Sequence, residues 1–256
     1  MRPKIAVRIS GHNNNFGDVV GSAIARSLYG GPVIEIRGRC LPPVGTRTYL
    51  VAGSTIRKAN RGAVIWGAGV LDFTDKNIER RLDVLCCRGK LTKHFLEGLG
   101  IGCPERTGDS VLIAPDVLGY PEKTREHRLG VIPHSNENAD SYRSVFGDAA
   151  YVIDICSGVR EVMSAVASCE YIASAALHGI VIADAMKIPA AWCCLREPRW
   201  PAKYDDYFSS VSTETWRPIR IGSCSTDSLV DAAVNRAKTV FVEDAKDALL
   251  KSCPWR

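Results

Sequence analysis

The sequence has no apolar stretch long enough to cross a membrane. A transmembrane helix needs about 20 consecutive apolar residues, and no window of the 256 residues approaches that length. The opening residues, MRPKIAVRIS, also lack the apolar segment of a secretory signal peptide. We therefore expect a cytoplasmic protein.

Several site motifs are missing as well. None of the ten cysteines forms a C-x-x-C pair, which argues against zinc-ribbon and thioredoxin sites, and we expect reduced thiols. The dinucleotide pattern G-x-G-x-x-G is absent, so a nicotinamide cofactor has no support. No cluster of carboxylates of the kind that holds Mg²⁺ stands out. The sequence thus predicts neither a metal nor a resident cofactor.

Charge is present but not concentrated. The formal net charge is +5, and lysine and arginine form no run or stripe of the kind that nucleic-acid binders carry. We expect no nucleic-acid partner. A mild positive charge favours small anions such as phosphorylated metabolites, or an anionic membrane surface.

Short apolar segments alternate with helical segments along the whole chain, which is typical of an α/β fold with mostly parallel sheets. Strands are predicted at 4–10, 33–37, 49–52, 63–66, 83–87, 111–114, 128–133, 151–154, 171–175 and 190–194. Helices are predicted at 19–29, 90–99, 138–145, 158–167, 179–187 and, as one long C-terminal helix, 227–250.

A polar segment with two prolines, residues 115–127, is interpreted as a linker. It divides the chain into two Rossmann-like domains, 1–120 and 121–256. A length of 256 residues fits two small domains or one large one.

Ligands of open α/β sheets bind beyond the carboxyl ends of the strands, so residues directly after predicted strands are candidates. The Gly- and Asn-rich turn at 11–18 precedes a helix, and its backbone N–H groups suit an anion or a sugar hydroxyl. In that turn Asp18 is either a helix cap or a group near a substrate. Gly67 and Gly69 follow another strand and allow close approach of a ligand, although tight turns also need glycine.

Three further strand ends carry groups suited to a small anion. Arg88 offers a bidentate fork to carboxylate or phosphate, or is a surface arginine. His134 is placed for acid–base work, and His178 for donation to an anion at a helix N-terminus. Either histidine alone is more often structural. Only five histidines occur, however, and two of them lie at such ends.

These segments resemble, in order, the polysaccharide pyruvyltransferase family over roughly residues 5–210. The matching segments are Asn-Phe-Gly-Asp at 15–18, Trp-Gly-Ala-Gly at 66–69, Cys-Arg-Gly-Lys-Leu-Thr at 87–92, Gly-Asp at 108–109, Gly-Val-Ile-Pro-His at 130–134, Ser-Ala-Ala-Leu-His-Gly at 174–179 and Lys-Tyr-Asp-Asp-Tyr at 203–207.

The resemblance implies a GT-B-like fold with the site in the cleft, an acceptor-binding N-terminal domain and a donor-binding C-terminal one. It implies transfer of the pyruvyl group of phosphoenolpyruvate to a sugar of a polysaccharide or lipid-linked oligosaccharide, with possible peripheral contact at the inner membrane face. Arg88, His134 and His178 then contact the donor. The catalytic candidates are His134, His178 and Asp18, and the binding candidates are Arg88, Asn15, Gly17, Gly67, Gly69, Leu177, Gly179 and Lys203.

One departure from the family pattern concerns anion binding. Related sequences often have Arg-Leu-His where this chain has Ala-Leu-His at 176–178. Lys203 and Arg196 are candidates to supply the missing cation. The alternatives to a pyruvyltransferase are a glycosyltransferase that uses a nucleotide-sugar, and a non-catalytic sugar- or phosphate-binding homologue.

Overall fold

Two parallel five-stranded sheets organise the protein in a computed structural model that describes residues 2–9, 11, 15–212, 214, 216–222 and 225–255. The first sheet has the order β2-β1-β3-β4-β5 and contains β1 (Ile5–Ile9), β2 (Val33–Arg37), β3 (Arg47–Leu50), β4 (Val64–Trp66) and β5 (Asp83–Cys86). The second has the order β10-β9-β8-β6-β7 and contains β6 (His127–Ile132), β7 (Tyr151–Val152), β8 (Cys169–Ser174), β9 (Ala190–Cys194) and β10 (Ile219–Arg220). The expected α/β architecture with two parallel sheets is confirmed.

Helices flank both sheets. They are α1 (Phe16–Tyr29), α2 (Lys90–Gly98), α3 (Ala114–Leu118), α4 (Ala139–Phe146), α5 (Val159–Ala167), α6 (Leu177–Ala185), α7 (Ala202–Val211), α8 (Thr226–Arg236) and α9 (Glu243–Lys251). Helix α1 illustrates how the sequence determines a helix. Val20 and Ile24 lie four residues apart and are both buried, and Gly30 ends the helix in the left-handed region at φ 63°.

One helix lies at the centre of the molecule. Most residues of α6 are buried, and they pack against a short 3-10 helix at Ser110–Ile113 that belongs to the first half of the chain. A single apolar core therefore runs from the first sheet through α6 to the second. This packing fixes the N-terminal turn of α6 between the two sheets.

The C-terminal segment returns to the first half. Trp255 packs against the rings of Tyr29, Tyr49 and Trp66, with ring centroids 5.1–6.3 Å apart. The indole Nε1 of Trp66 donates to the carbonyl oxygen of Leu249 at 3.0 Å. The last helix thus contributes to the core of the first half, which a simple division at residue 120 does not anticipate.

The strand predicted at 111–114 is wrong. The Asp109 carboxylate accepts a hydrogen bond from the backbone N–H of Val111 at 3.0 Å and so starts the 3-10 helix instead. A four-residue apolar run is buried equally well as a strand or a helical turn, and periodicity cannot separate the two. The predicted linker is also shorter than expected, because α3 occupies its first residues.

The single C-terminal helix predicted at 227–250 is wrong as well. It divides into α8 and α9, because Lys238 leaves the helix and forms two backbone hydrogen bonds of 2.9 Å with Ala190 at the start of β9. The β-branched residues that follow also favour extended backbone. Helix α7 and strand β10 were not predicted. No helix in the described ranges is long and apolar enough to cross a membrane.

Candidate active site

A cavity of about 550 Å³ is lined by residues that follow strands of both sheets. The lining includes Gly11 after β1, Ser54 after β3, Ser135 after β6 and Ala176 after β8. Seven residues predicted for the site also line it: Asn15, Gly17, Asp18, His134, Leu177, His178 and Lys203. The turn residues His12, Asn13 and Asn14 lie outside the described residues.

The N-terminus of α1 forms one wall of the cavity. The Oδ1 of Asn15 accepts from the backbone N–H of Gly17 at 3.0 Å and caps the helix. Its Nδ2 donates to the Oγ of Ser135 at 2.9 Å, which joins the two halves across the cavity. The helix cap is therefore Asn15. Asp18 lies in the first turn of α1 and lines the cavity.

A histidine–aspartate pair lies beside this N-terminus, with His178 on the cavity lining and Asp109 behind it. His178 stands in the first turn of α6, and its Nε2 lies 3.6 Å from the Oδ2 of the fully buried Asp109. Neither atom has a hydrogen-bond partner among the described residues. The other Asp109 oxygen is held by the 3-10 helix, so the carboxylate has a fixed position. The carboxylate therefore lies within ion-pair distance of the imidazole without a hydrogen bond between them.

Gly17 leaves room for this imidazole. A Cβ atom at position 17 would lie 1.9 Å from the Nδ1 of His178, far inside van der Waals contact. Nδ1 of His178 thus faces α1, while Nε2 faces Asp109. The structure thus gives Gly17, which was predicted as a ligand contact, a packing role beside the imidazole of His178.

Gly17→Ala is expected to displace the His178 ring and to lower kcat/KM by about 10²-fold, because a misplacement of about 1 Å costs that much at an active site. Gly98→Ala is the matched control, since a Cβ there meets no atom within 4 Å. Steady-state kinetics on both variants checks the effect. Equal activities in the two variants would show that His178 does not need its present position.

His134 and Lys203 form a second pair in the cavity. The Nζ of Lys203 lies 3.2 Å from the Nε2 of His134. Burial, followed by the Arg88 charge and opposed by Asp18, lowers the pKa of Lys203 to about 8. Burial, followed by the Lys203 charge, lowers the pKa of His134 to about 4. Near neutral pH the lysine is therefore charged and the imidazole neutral.

The hydrogen bonds of His134 decide which nitrogen is available. The backbone N–H of Asn136 points at Nδ1 over 3.3 Å, and Lys203 approaches Nε2 over 3.2 Å. A neutral imidazole accepts at only one nitrogen, so the two donors compete. The charged and shorter Lys203 contact is the stronger one. A ligand that draws Lys203 away therefore frees Nε2 of His134 to accept a proton.

Lys203→Met is expected to stabilise the unliganded protein by about 1–3 kcal/mol at neutral pH, because a pKa lowered by burial is a cost of folding. The folded pKa is about 8 and the ordinary value 10.5, so the cost is complete below pH 8 and disappears as the pH rises to 10.5. Urea unfolding at both ends of this window measures it. The exposed Lys90→Met is the control. A less stable Lys203→Met at pH 7 would contradict the expectation.

Arg88 lies behind the cavity wall. It is fully buried, and its Nε donates to the Oδ2 of Asp206 at 2.8 Å. Nη1 donates to the Oγ of Ser54 at 2.7 Å and Nη2 to the carbonyl oxygen of Val70 at 2.8 Å. Only Ser54 of these partners lines the cavity. The guanidinium therefore ties the first half to α7, the helix that carries Lys203.

The other predicted glycines lie in tight packing. A Cβ at Gly67, where φ is 90°, would lie 2.6 Å from Ser110, and one at Gly69 would lie 2.3 Å from the Cζ of Arg88. A Cβ at Gly179 would lie 2.3 Å from the Oγ of Ser174. The packing explains these three glycines, and the residues lining the cavity do not include them.

Ala176, where related sequences often have arginine, lines the cavity together with three cationic residues. Lys203, Lys58 and Arg57 line the same cavity, and Arg57 is paired with Asp75. Burial lowers the pKa of Lys58. Arg196, the other predicted substitute, lines an adjoining cavity instead. Lys203 is thus the predicted cation that the fold brings to this site.

Sequence reasoning did not assign a role to Asp109 or to Lys58. Asp109 belongs to the Gly-Asp segment that matched the family pattern. It received no role because the apolar residues after it were interpreted as a strand, and it came before that strand rather than at its carboxyl end. Lys58 belongs to a one-turn 3-10 helix after β3 that has no signal in the sequence. No group of three or more His, Cys, Asp or Glu residues within the described ranges is arranged to hold a metal ion.

Comparison with known proteins decides the family. A sequence model of the polysaccharide pyruvyl transferase family matches residues 15–193, a range that begins at the α1 cap and includes His134 and His178. The chain belongs to this family. An uncharacterized protein of Acanthamoeba polyphaga mimivirus is 28% identical over 152 residues, which are 56% of this chain. The chain spans about half of that relative, since the match covers 52% of its length.

The fold of this pyruvyl transferase family member has a counterpart among solved structures. A functionally uncharacterized protein of Klebsiella pneumoniae subsp. pneumoniae superposes with a TM-score of 0.50 at 10% sequence identity. The superposition covers 80% of this chain and 87% of that one. At this identity the likeness concerns the fold alone.

Proposed function

We propose that the protein transfers the pyruvyl group of phosphoenolpyruvate to two hydroxyls of one sugar, which gives a pyruvate ketal and phosphate. The observation that carries the proposal is the meeting of two imidazoles and a half-buried lysine in one cavity of a pyruvyl transferase family member. A three-carbon donor with a phosphate and a carboxylate needs a cation, an acid and a base. The cavity supplies all three.

The overall reaction needs no external proton. One sugar hydroxyl adds to C2 of the donor, and the C2–oxygen bond to phosphate breaks. The second hydroxyl then bonds to C2 and closes the ketal. Of the two hydroxyl protons, one ends on the donor methylene, which becomes a methyl group, and the other ends on the departing phosphate.

Each pair in the cavity has a distinct part in this scheme. Lys203, charged near neutral pH, binds a donor anion and in doing so releases Nε2 of His134. His134, kept neutral by burial and by Lys203, accepts a hydroxyl proton as general base. His178 is assigned as the acid, and Nδ1 is the nitrogen that remains to donate a proton to the methylene or the leaving phosphate, because Nε2 is turned toward Asp109. Asp18 lines the same cavity, and we assign it to the acceptor hydroxyls that enter there.

A phosphate-release assay with phosphoenolpyruvate and a panel of glycans tests the reaction itself. Binding is tested separately by thermal unfolding, since a ligand at a hundred times its Kd stabilises by about 2.7 kcal/mol. We expect stabilisation by phosphoenolpyruvate and none by UDP. Stabilisation by UDP alone would replace the proposal with a nucleotide-sugar transferase, and binding without phosphate release on any glycan would indicate a non-catalytic homologue.

The pH dependence of kcat/KM reports on Lys203 in the free enzyme. Activity is expected to fall as pH rises through about 8, because the lysine then loses the charge that binds the donor. Lys203→Arg keeps a charge throughout this range, so the decline near pH 8 is expected to disappear in that variant. A decline that is identical in both proteins would assign it to another group.

A further inference from the structure

A second cavity of about 270 Å³ adjoins the first. His134, Asn136, Trp200 and Lys203 line both cavities, so a ligand that extends from one to the other passes the proposed general base. The proposed reaction uses a small donor and a larger sugar. The adjoining space is therefore available for the part of the sugar that does not react.

The charges around this second cavity are predominantly positive. Arg196 and Arg199 line it, both are exposed, and neither forms an ion pair with any described residue. Of its two acidic residues, one forms an ion pair and the other keeps its charge while it accepts hydrogen bonds from neutral donors. Glu197 pairs with Arg220, and the Oε2 of Glu137 accepts from the backbone N–H of His134 and from the hydroxyl of Tyr142. Arg196 and Arg199 therefore remain the cations of this lining that suit an anionic ligand.

The walls between these cations are apolar. Trp192 and Tyr204 stack with ring centroids 4.2 Å apart and form the buried end of the cavity. Trp200 is half-buried at the junction with the first cavity, and the guanidinium of Arg199 lies 4.5 Å from its ring centroid. An aromatic body with a charged rim suits a ring that bears an anionic group rather than a free inorganic anion.

We propose that the second cavity binds the acceptor, and that this acceptor is a sugar carrying a phosphate or carboxylate. Only the assignment of this ligand as the acceptor rests on the proposed function; the binding of an anionic sugar does not. The anionic group lies between Arg196 and Arg199, the sugar ring lies against Trp200, and its hydroxyls enter the first cavity beside His134. Neutral sugars lack the anionic contact and bind more weakly.

Calorimetric titration of glucose 1-phosphate, glucuronate and methyl glucoside into the full chain tests this, with and without saturating phosphoenolpyruvate. The double variant R196Q/R199Q is expected to weaken binding of the two anionic sugars by about 10- to 100-fold, the value of lost charge-assisted hydrogen bonds. Binding of methyl glucoside is expected to stay unchanged. The preferred anionic sugar, phosphate or carboxylate, identifies the group. Arg160→Gln, an exposed arginine on α5, is the matched control.

The outcomes separate this inference from the proposed reaction. Competition between phosphoenolpyruvate and glucose 1-phosphate, wild-type affinity in the double variant, or no binding of either anionic sugar to the wild type at millimolar concentration would each overturn it. Arginine-dependent binding of an anionic sugar without any binding of phosphoenolpyruvate would uphold the second cavity as an anionic-sugar site and overturn the pyruvyl transfer.

Discussion

Replacing His178 with glutamine is expected to lower kcat/KM for pyruvyl transfer by about 10²- to 10⁴-fold, the usual cost of removing an oriented acid–base group. The side chain is only 14% exposed and lies at the N-terminal turn of α6. Glutamine keeps a polar group there, so we expect the unfolding midpoint to stay close to that of the wild type. Kinetics and urea unfolding on the same preparation separate the two effects.

Asp109→Asn is the companion variant because it changes only the charge of the pair. The Oδ1 that accepts from Val111 is retained, while an NH₂ group replaces the Oδ2 that faces His178. An amide donor at this place favours the tautomer with hydrogen on Nδ1. The expected loss is of the same order as for His178→Gln, and the double variant is expected to be no worse than either single one. Wild-type turnover in Asp109→Asn would remove the acid assigned here.

Replacing Arg88 with methionine is expected to destabilise the protein by about 3–5 kcal/mol, because it leaves a buried carboxylate without its cation. Arg88 and Asp206 are both inaccessible to solvent. Among the described residues, the Asp206 carboxylate then retains as donors only the backbone N–H and the hydroxyl of Thr92, each at 2.7 Å. Urea unfolding measures the loss. Activity is expected to fall too, since Asp206 shares α7 with Lys203.

Arg47→Met provides the matched comparison for Arg88. Arg47 pairs with Asp83, but both side chains are about half exposed. Such exposed pairs contribute about 0–1 kcal/mol, so little change is expected. If Arg88→Met retained wild-type stability and lost phosphoenolpyruvate binding alone, the arginine would grip the donor directly, as the family resemblance implies.

The sheets were predictable because parallel strands are buried on both faces and therefore appear as short apolar runs. The observed β2 and β9 have the predicted bounds, and the other predicted strands that form differ by at most two residues at either end. Helix α7 was missed because its charged and polar residues obscure the apolar face that Tyr204, Tyr207 and Phe208 bury. The prediction of a strand at 111–114 was wrong for the opposite reason. A fully apolar segment shows no alternation of apolar and polar residues, so a strand and a helical turn cannot be told apart.

The candidate site was predictable as a set of strand ends, but not as a set of contacts. His134, His178 and Lys203 meet in one cavity because each follows a strand of the second sheet or begins the helix after it. Whether a side chain enters the cavity or lies behind it depends on packing between distant segments. Arg88 lies behind it because Asp206, 118 positions later, approaches it from α7. The sequence contains no local signal of that approach.

The position of Trp255 affects how the protein is made. Its ring fills the space among Tyr29, Tyr49 and Trp66. The core beside the first sheet is therefore completed only by a residue about 200 positions downstream. A ribosome delivers the chain from the N-terminus, and contacts this far apart in sequence form slowly. Until the downstream segment folds onto them, these three rings are expected to be more exposed in the nascent first half, where exposed apolar surface favours aggregation. A fragment that ends at the linker lacks Trp255, so its three aromatic rings are expected to stay exposed.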